Sequence, residues 1–458
     1  MKTPLLKLTS LVMLLVLAGP AFAQEEEDLL DILVKKKVIT QEEYDQLRRQ
    51  YQKRPVPLPA PEPAAPPKPT TTEPAPETTA VTAEEASDVT VITQGALRGR
   101  TRDSAFIFQL GGRLLIDGAV YDSDVQSLGN GAEIRSARIT LEGTVWNVWD
   151  YELEVDFAEN AVDIKDAWLE YREFEPIAIQ TGNYKEPFSL EEITSSKYIT
   201  FMERALPNLF APSRNLGVGV RIWREQWTGQ LGVFGEGLDA NEDREEDQGF
   251  GVTGRFTYAP ILEEERLIHL GAAGSYRRTG DNDVLRFRSR PESHVTNVRL
   301  VDTGDIVDVE DIARAGAEAA VVWGPFSLQG EYIRTHLDRD SGFSDLAFDG
   351  YYVYGSWFLT GESRPYDDEK ARFQAVLPKS IVGRGGYGAW EVALRYSGLD
   401  LEDEDIQGGE EDNLTVGLNW YPTRNIRFMA NYIHADSERL GMEDDPHVFQ
   451  IRSQIVLE

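Results

Sequence analysis

The stretch Phe106-Ile107-Phe108-Gln109-Leu110-Gly111-Gly112-Arg113-Leu114-Leu115-Ile116-Asp117-Gly118-Ala119-Val120 sets two chemistries side by side along one run of chain. In an extended strand, successive side chains point to opposite faces, so Phe106, Phe108, Leu110, Leu114, Ile116 and Val120 share one face while Gln109, Arg113 and Asp117 share the other. The next two segments repeat the pattern. Ala137, Ile139, Leu141 and Val145 oppose Ser136, Arg138, Thr140 and Glu142, and then Tyr151, Leu153, Val155 and Phe157 oppose Glu152, Glu154 and Asp156. A soluble sandwich alternates in the same way, so the pattern alone leaves open whether the greasy face meets a protein core or lipid.

The connections bear on that choice. Strands read near 105–121, 133–146, 149–158, 162–172, 176–184, 217–224, 226–235, 249–259, 267–277, 311–323, 326–335, 349–360, 388–397, 412–421, 425–435 and 447–457 number sixteen. An even count is what closure of an antiparallel barrel requires. Tight joins at Asn147-Val148, Phe174-Glu175, Glu225, Gly324-Pro325 and Pro422-Thr423 alternate with long ones at 185–216, 236–248, 278–310 and 398–411, as short periplasmic turns alternate with long outer loops. One segment, 361–387, is long on the short-turn side, which means an insertion on that rim or a miscounted strand pair. Trp146, Trp149 and Tyr151, then Trp223 and Trp227, then Trp420 and Tyr421 recur at tight-turn ends, where an interfacial girdle places them. The expected fold is all-β: a sixteen-stranded antiparallel transmembrane β-barrel over residues 105–458.

Upstream, Lys2 and Lys7 precede an apolar run from Leu11 to Leu17, and Ala21-Phe22-Ala23 supplies small residues for cleavage, so residues 1–23 read as a signal peptide. The run is shorter than the roughly 20 residues a membrane-spanning helix needs. Residues 24–54 read as a short helical periplasmic segment, with Leu29, Leu30, Ile32 and Leu33 as one stripe and Thr40-Gln41-Glu42-Glu43 as a capping box. It is suited to contact with copies of itself or with a periplasmic or cell-wall partner; a frayed leader is the alternative. Residues 55–104 read as a Pro/Thr/Ala-rich linker.

Composition removes several classes of function. With no cysteine, thiol catalysis and Cys-type zinc sites are absent, and a formal charge of -32 leaves nucleic acid without an attractive surface. A mean hydropathy of -0.38 suits a barrel, which needs apolar residues only at alternate positions. No G-x-S-x-G elbow, P-loop or Ser-His-Asp ordering appears, so an enzyme is not expected and no cofactor is implied. His269, His294, His336, His434 and His447 lack metal-site spacing.

The wet face carries the transport reading. Strand parity points Arg113, Arg138, Arg221, Arg255, Arg277, Arg314, Arg395, Arg427 and Arg452 inward, with Glu152, Glu154, Asp156, Asp166 and Glu170 as an acidic wall. The long segment 185–216 holds Lys185, Ser189, Lys197, Arg204 and Arg214. If it folds into the lumen, these residues with Arg113, Arg138, Arg221 and Arg255 form a pore that offers an anion several weak sites in series. The alternatives are a surface loop of mixed charge, since Glu186, Glu191, Glu192 and Glu203 lie there too, and lumen charges consumed in cross-strand ion pairs. Acidic runs at 241–247, 401–412 and 436–445 read as solvated outer loops that divalent ions could bridge to lipopolysaccharide.

Two blocks make the chain familiar. Gly182-Asn183-Tyr184-Lys185-Glu186-Pro187-Phe188-Ser189-Leu190-Glu191, followed by Phe201-Met202-Glu203-Arg204-Ala205-Leu206, resembles the phosphate-selective porin O and P family. Gly350-Tyr351-Tyr352-Val353 through Phe358-Leu359-Thr360-Gly361-Glu362-Ser363-Arg364-Pro365-Tyr366 is similar to that family's late-strand signature, with Arg288-Ser289-Arg290-Pro291-Glu292 and Asn419-Trp420-Tyr421 in support. The resemblance implies an outer-membrane homotrimer of sixteen-stranded barrels, an inward third loop and a lysine-centred, arginine-lined path for phosphate or polyphosphate, with Lys185 at the motif lysine. The sequence departs from the pattern near the second strand, where Ile134-Arg135-Ser136-Ala137-Arg138 keeps two of three arginines. The expectation is passive diffusion of small hydrophilic solutes, anions above all. A general or cation-preferring porin, or a structural tether using the N-terminal helices, is the alternative.

Overall fold

The computed structural model describes residues 89–458 apart from 239–246, 281–283 and 341. The signal peptide, the helical segment at 24–54, the linker as far as residue 88 and most of the acidic run at 241–247 lie outside the described residues.

Sixteen strands form one closed wall: β1 Phe106–Asp122, β2 Gly131–Val145, β3 Trp149–Asp156, β4 Asp163–Tyr171, β5 Ile177–Lys185, β6 Arg214–Arg224, β7 Trp227–Phe234, β8 Phe250–Glu263, β9 Arg266–Arg278, β10 Val309–Trp323, β11 Phe326–Arg339, β12 Leu346–Phe358, β13 Ala389–Asp403, β14 Ile406–Thr423, β15 Ile426–Arg439 and β16 His447–Leu457. Each pairs antiparallel with its neighbour, and β16 returns to β1 from His447↔Asp122 to Leu457↔Gly112. Closure satisfies the backbone groups that lipid cannot, which is why a chain of such low hydropathy can span a bilayer. The period of two sorts the side chains. Along β16, Phe449, Ile451, Ile455 and Leu457 are exposed on the outer surface, while Val448, Gln450, Arg452, Gln454 and Val456 are buried inside.

Tight turns gather at one rim. Between β2 and β3 the chain reverses through Trp146 and Asn147, both at positive φ, the geometry whose twist matches the flanking strands. Aromatics meet along this rim on the outside: Phe106 edge-on with Trp146, Trp149 tilted on Tyr171, and stacked pairs of Trp227 with Phe256, Phe326 with Trp357, and Trp420 with both Trp390 and Phe428. Trp223 departs from the girdle reading, since it lies under the guanidinium groups of Arg172 and Arg221, on the lumen side.

The structure decides one open alternative and corrects two sequence readings. The strand count holds at the doubtful place, and residues 359–388 are a true insertion on the short-turn rim between β12 and β13. The segment 398–411 is not a long loop: β13 and β14 run on to a two-residue hairpin at Glu404-Asp405, because an antiparallel ladder continues beyond the lipid wherever alternating carboxylates can face water. Finally, part of the stretch read as linker is structured. Val89–Gln94 and Ala96–Thr101 form a hairpin about Gly95 (φ +84°), and its second strand pairs with the start of β1 from Leu97↔Leu110 to Arg100↔Ile107.

Two segments fold into the extracellular half of the lumen. Phe188, Leu206 and Phe210 from the loop between β5 and β6 pack with Phe287, Val301 and Ile306 from residues 279–308 and with wall residues Ile333, Leu337 and Phe348, all 7% exposed or less. The insertion enters from the opposite rim. Its Phe373 and Tyr366 meet Leu190 of the first loop against Leu267 and Val322 of the wall. Burial of large apolar side chains, each worth about 1.5–3 kcal/mol, keeps these segments inside.

Candidate pore constriction

The loop at 186–213 is fastened to the wall through its backbone. Arg427 donates to the carbonyls of Ile199 (2.7 Å) and Thr200 (2.9 Å), Arg395 to that of Glu203 (3.0 Å), and Arg452 to that of Met202. Its short helix Leu190–Ile193 is held at the start by Glu331 of β11, whose carboxylate accepts from the backbone of Leu190 (3.1 Å) and Glu191 (2.7 Å). Three inward arginines thus serve as anchors, a use that parity predicts in direction but not in purpose.

Between loop, wall and insertion lies a cavity of about 380 Å³. It brings together seven of the nine residues expected at the pore: Arg113, Arg138, Lys185, Lys197, Arg204, Arg214 and Arg221. The other two are elsewhere. Ser189 caps the helix, its hydroxyl accepting from Glu192 N at 3.1 Å. Arg255 is buried against Glu318 at 2.5 Å and donates to the carbonyl of Ala371 at 2.9 Å, so it ties the insertion down. His269 does similar work, between Glu318 (2.9 Å) and the Tyr366 hydroxyl (2.7 Å).

Four lining cations lie outside the nine residues expected at the pore. Arg135 lies at a register shift between β1 and β2, where Leu115 pairs with Ser136 but Ile116 with Ile134. The extra residue turns inward, and Arg135 meets Glu203 at 2.9 Å. Lys370 and Arg372 arrive on the insertion, and Arg452 reaches from β16. In all, eleven basic and six acidic side chains line the cavity.

Pairing changes what the acidic wall contributes. Glu154 is held by Arg113 (2.9 Å) and Arg138 (2.5 Å), Asp166 by Arg214 (2.6 Å) and Glu170 by Arg221 (3.0 Å). Lys185 and Arg204 both face Glu192, at 3.2 and 3.3 Å. Among the described residues Glu152 and Lys370 make no ion pair, Arg372 comes only within 3.8 Å of Asp367, and the buried Arg113 Nε has no partner. Unmatched positive charge therefore collects on the insertion side. His336, Asp338 and Asp345 bring their ligand atoms within 4.8 Å of one another where β11 meets β12, outside the cavity.

A second basic hollow of about 330 Å³ sits between the first loop and residues 279–308, lined by Arg135, Arg204, Arg288, Arg290, Arg299 and His294 among others. Burial first, and then Arg135, depress His294 to about 4, with Glu203 opposing. It stays neutral above that pH, so between pH 8 and 5 the entrance gains no charge from it. Anion block measured over that range should show no step from this imidazole, and His294→Gln should leave the profile unmoved.

A family model described as phosphate-selective porin O and P matches residues 108–457. The chain belongs to that family. An uncharacterized protein of Caulobacter vibrioides is 34% identical to this porin over 84% of its chain and 81% of the relative. Porin O of Pseudomonas aeruginosa is 28% identical over 81% of this chain and 93% of its own. Among solved structures, an anion-selective porin from Comamonas acidovorans is similar with a TM-score of 0.52 and 12% identity, covering 76% of this chain and 100% of that one, a likeness of fold alone. Family and closed barrel make this chain an outer-membrane porin.

Proposed function

We propose that this porin passes small inorganic anions, phosphate among them, from the cell exterior to the periplasm. The observation that carries the reading is the excess of eleven basic over six acidic side chains around the cavity, with Lys370 and Arg372 left without close carboxylates. A guanidinium or ammonium group replaces part of an anion's hydration, and sites in series let it leave again. The description of the family model that matches this chain, phosphate-selective porin O and P, points the same way. The seven cavity-lining residues of the sequence reading, Arg113, Arg138, Lys185, Lys197, Arg204, Arg214 and Arg221, are the binding groups in this proposal, joined by Lys370 and Arg372.

Assembly as a homotrimer fits the uneven wall, since β3 to β7 are 8 to 11 residues long while β8 to β15 run from 13 to 18. The low side suits contact between subunits, and the tall side suits lipid and lipopolysaccharide. Residues 24–54 are proposed to lie in the periplasm and to reach the cell wall or a partner there.

The test is planar-bilayer conductance in chloride with phosphate titrated in. Phosphate should depress the current, and the zero-current potential in a salt gradient should carry the sign of anion selectivity. Lys370→Ala with Arg372→Ala should raise the half-blocking concentration about tenfold, equivalent to about 1.4 kcal/mol of lost interaction. Cation selectivity in the unmodified porin would overturn the proposal.

A further inference from the structure

One side of the cavity differs in chemistry from the basic constriction. On the periplasmic part of the wall the inward row runs Gln109, Glu142, Glu152, Trp168 through directly paired positions of β1, β2, β3 and β4. Gln180 and Gln230 line the same space. Of the nine tryptophans in the chain, Trp168 is the one that lines the cavity.

The indole is half-buried and lines the cavity. Across the ladder from Trp168 stands Gly182, at φ +129°, where a Cβ would come within 2.2 Å of the Ala167 carbonyl oxygen, so the directly paired position sets no side chain against the ring. Lys370 Nζ stands 5.8 Å from the ring centre, and no other aromatic stacks on it among the described residues. Glu152, directly paired with Trp168 across the ladder, keeps a carboxylate free of ion pairs among the described residues. An apolar face in a water-filled lumen has an exposure cost, which a ligand with its own apolar face offsets.

Resting on the anion reading above, we infer that Trp168, Glu152 and the neighbouring glutamines form a subsite for the ring of a sugar phosphate whose phosphate group sits among the basic residues of the constriction. The pyranose ring offers a C–H face to the indole. Its hydroxyls donate to Glu152 and exchange hydrogen bonds with the amides of Gln180 and Gln230, which both donate and accept. Lys370 lies between the two halves and serves the phosphate end. A cavity of about 380 Å³ falls in the size range of small-molecule sites. Bare phosphate uses only the basic half, and the polar and aromatic half has no role in its passage.

The experiment compares block of chloride current by inorganic phosphate, glucose 6-phosphate and sorbitol 6-phosphate in the reconstituted full-length porin. The two esters match in charge and nearly in size, but only the first presents a closed ring. Glucose 6-phosphate should half-block at a concentration at least threefold below that of sorbitol 6-phosphate. Trp168→Ala should bring that ratio close to one, and Trp168→Phe, which keeps an aromatic face, should retain most of it. A ratio near one in the unmodified porin, or a ratio that survives Trp168→Ala, would overturn the subsite. Loss of block by all three phosphates would instead remove the anion reading, and the subsite with it.

Discussion

Excising residues 361–388 and joining Thr360 to Ala389 through two glycines should raise chloride conductance about threefold or more and weaken phosphate block, as read in single-channel recordings. The insertion enters the lumen from the short-turn rim and places Lys370, Arg372 and Glu369 beside the wall, Glu369 at 2.7 Å from Arg221 and 3.0 Å from Arg172. Removing it widens the exit and takes away the two cations that lack close partners, and conductance is set by the narrowest section of the path. The barrel should survive, because the ladder between β12 and β13 is complete without it, from Asp349↔Asp400 to Phe358↔Glu391, and the backbone of Leu359 already bonds to Trp390 at 2.8 Å. The ion cluster left behind stays internally matched, since Arg255 and His269 both keep Glu318. Unchanged conductance in a correctly assembled variant would show that the insertion does not narrow the pore.

What alternation can and cannot disclose follows from its own physics. A period of two reports only which face a residue takes, so it directs Arg113, Arg138, Arg221 and Arg452 to the lumen, where all four line the cavity. It says nothing about depth or partner, which is why Arg255 was indistinguishable from a pore residue although Glu318 and the Ala371 carbonyl consume it. A bulge breaks the parity at its own position, and Arg135 escapes the pattern for that reason. The run Ile134-Arg135-Ser136-Ala137-Arg138 holds the missing signal, since a strictly alternating strand cannot place Arg135 and Arg138 on the same face. Segments without a repeat carry no such signal. The insertion shows its unusual length in sequence, but that Lys370 and Arg372 turn into the lumen depends on Tyr366 and Phe373 finding Leu190, a contact across 176 or more positions of chain that no local pattern encodes. Ser189 is a case of the opposite kind: a hydroxyl in a basic loop suggested an anion donor, while its place immediately before Leu190–Ile193 made capping the stronger local use.

The fastening of the second loop supports a prediction with a larger effect on stability than on conduction. Glu292 of residues 279–308 is buried at positive φ and receives Arg395 at 2.5 Å, Ser397 Oγ at 2.6 Å and Thr415 Oγ1 at 3.0 Å, all from the inner wall. Arg395 is 1% exposed. Without the Glu292 carboxylate its remaining acceptors are the Glu203 carbonyl at 3.0 Å and Glu191 at 3.7 Å, so the guanidinium is left largely uncompensated. Breaking such a pair from one side costs about 3–5 kcal/mol, because desolvation has already been incurred by the charge that stays. Glu292→Ala should therefore lower unfolding stability by about that amount, measured as the denaturant midpoint of the refolded barrel in detergent. Replacing both partners, Glu292→Leu with Arg395→Met, removes the buried charge together with its counterion and should recover most of the loss. If the double replacement were as destabilised as the single one, the loop would be held by Ser397 and Thr415 and not by the ion pair.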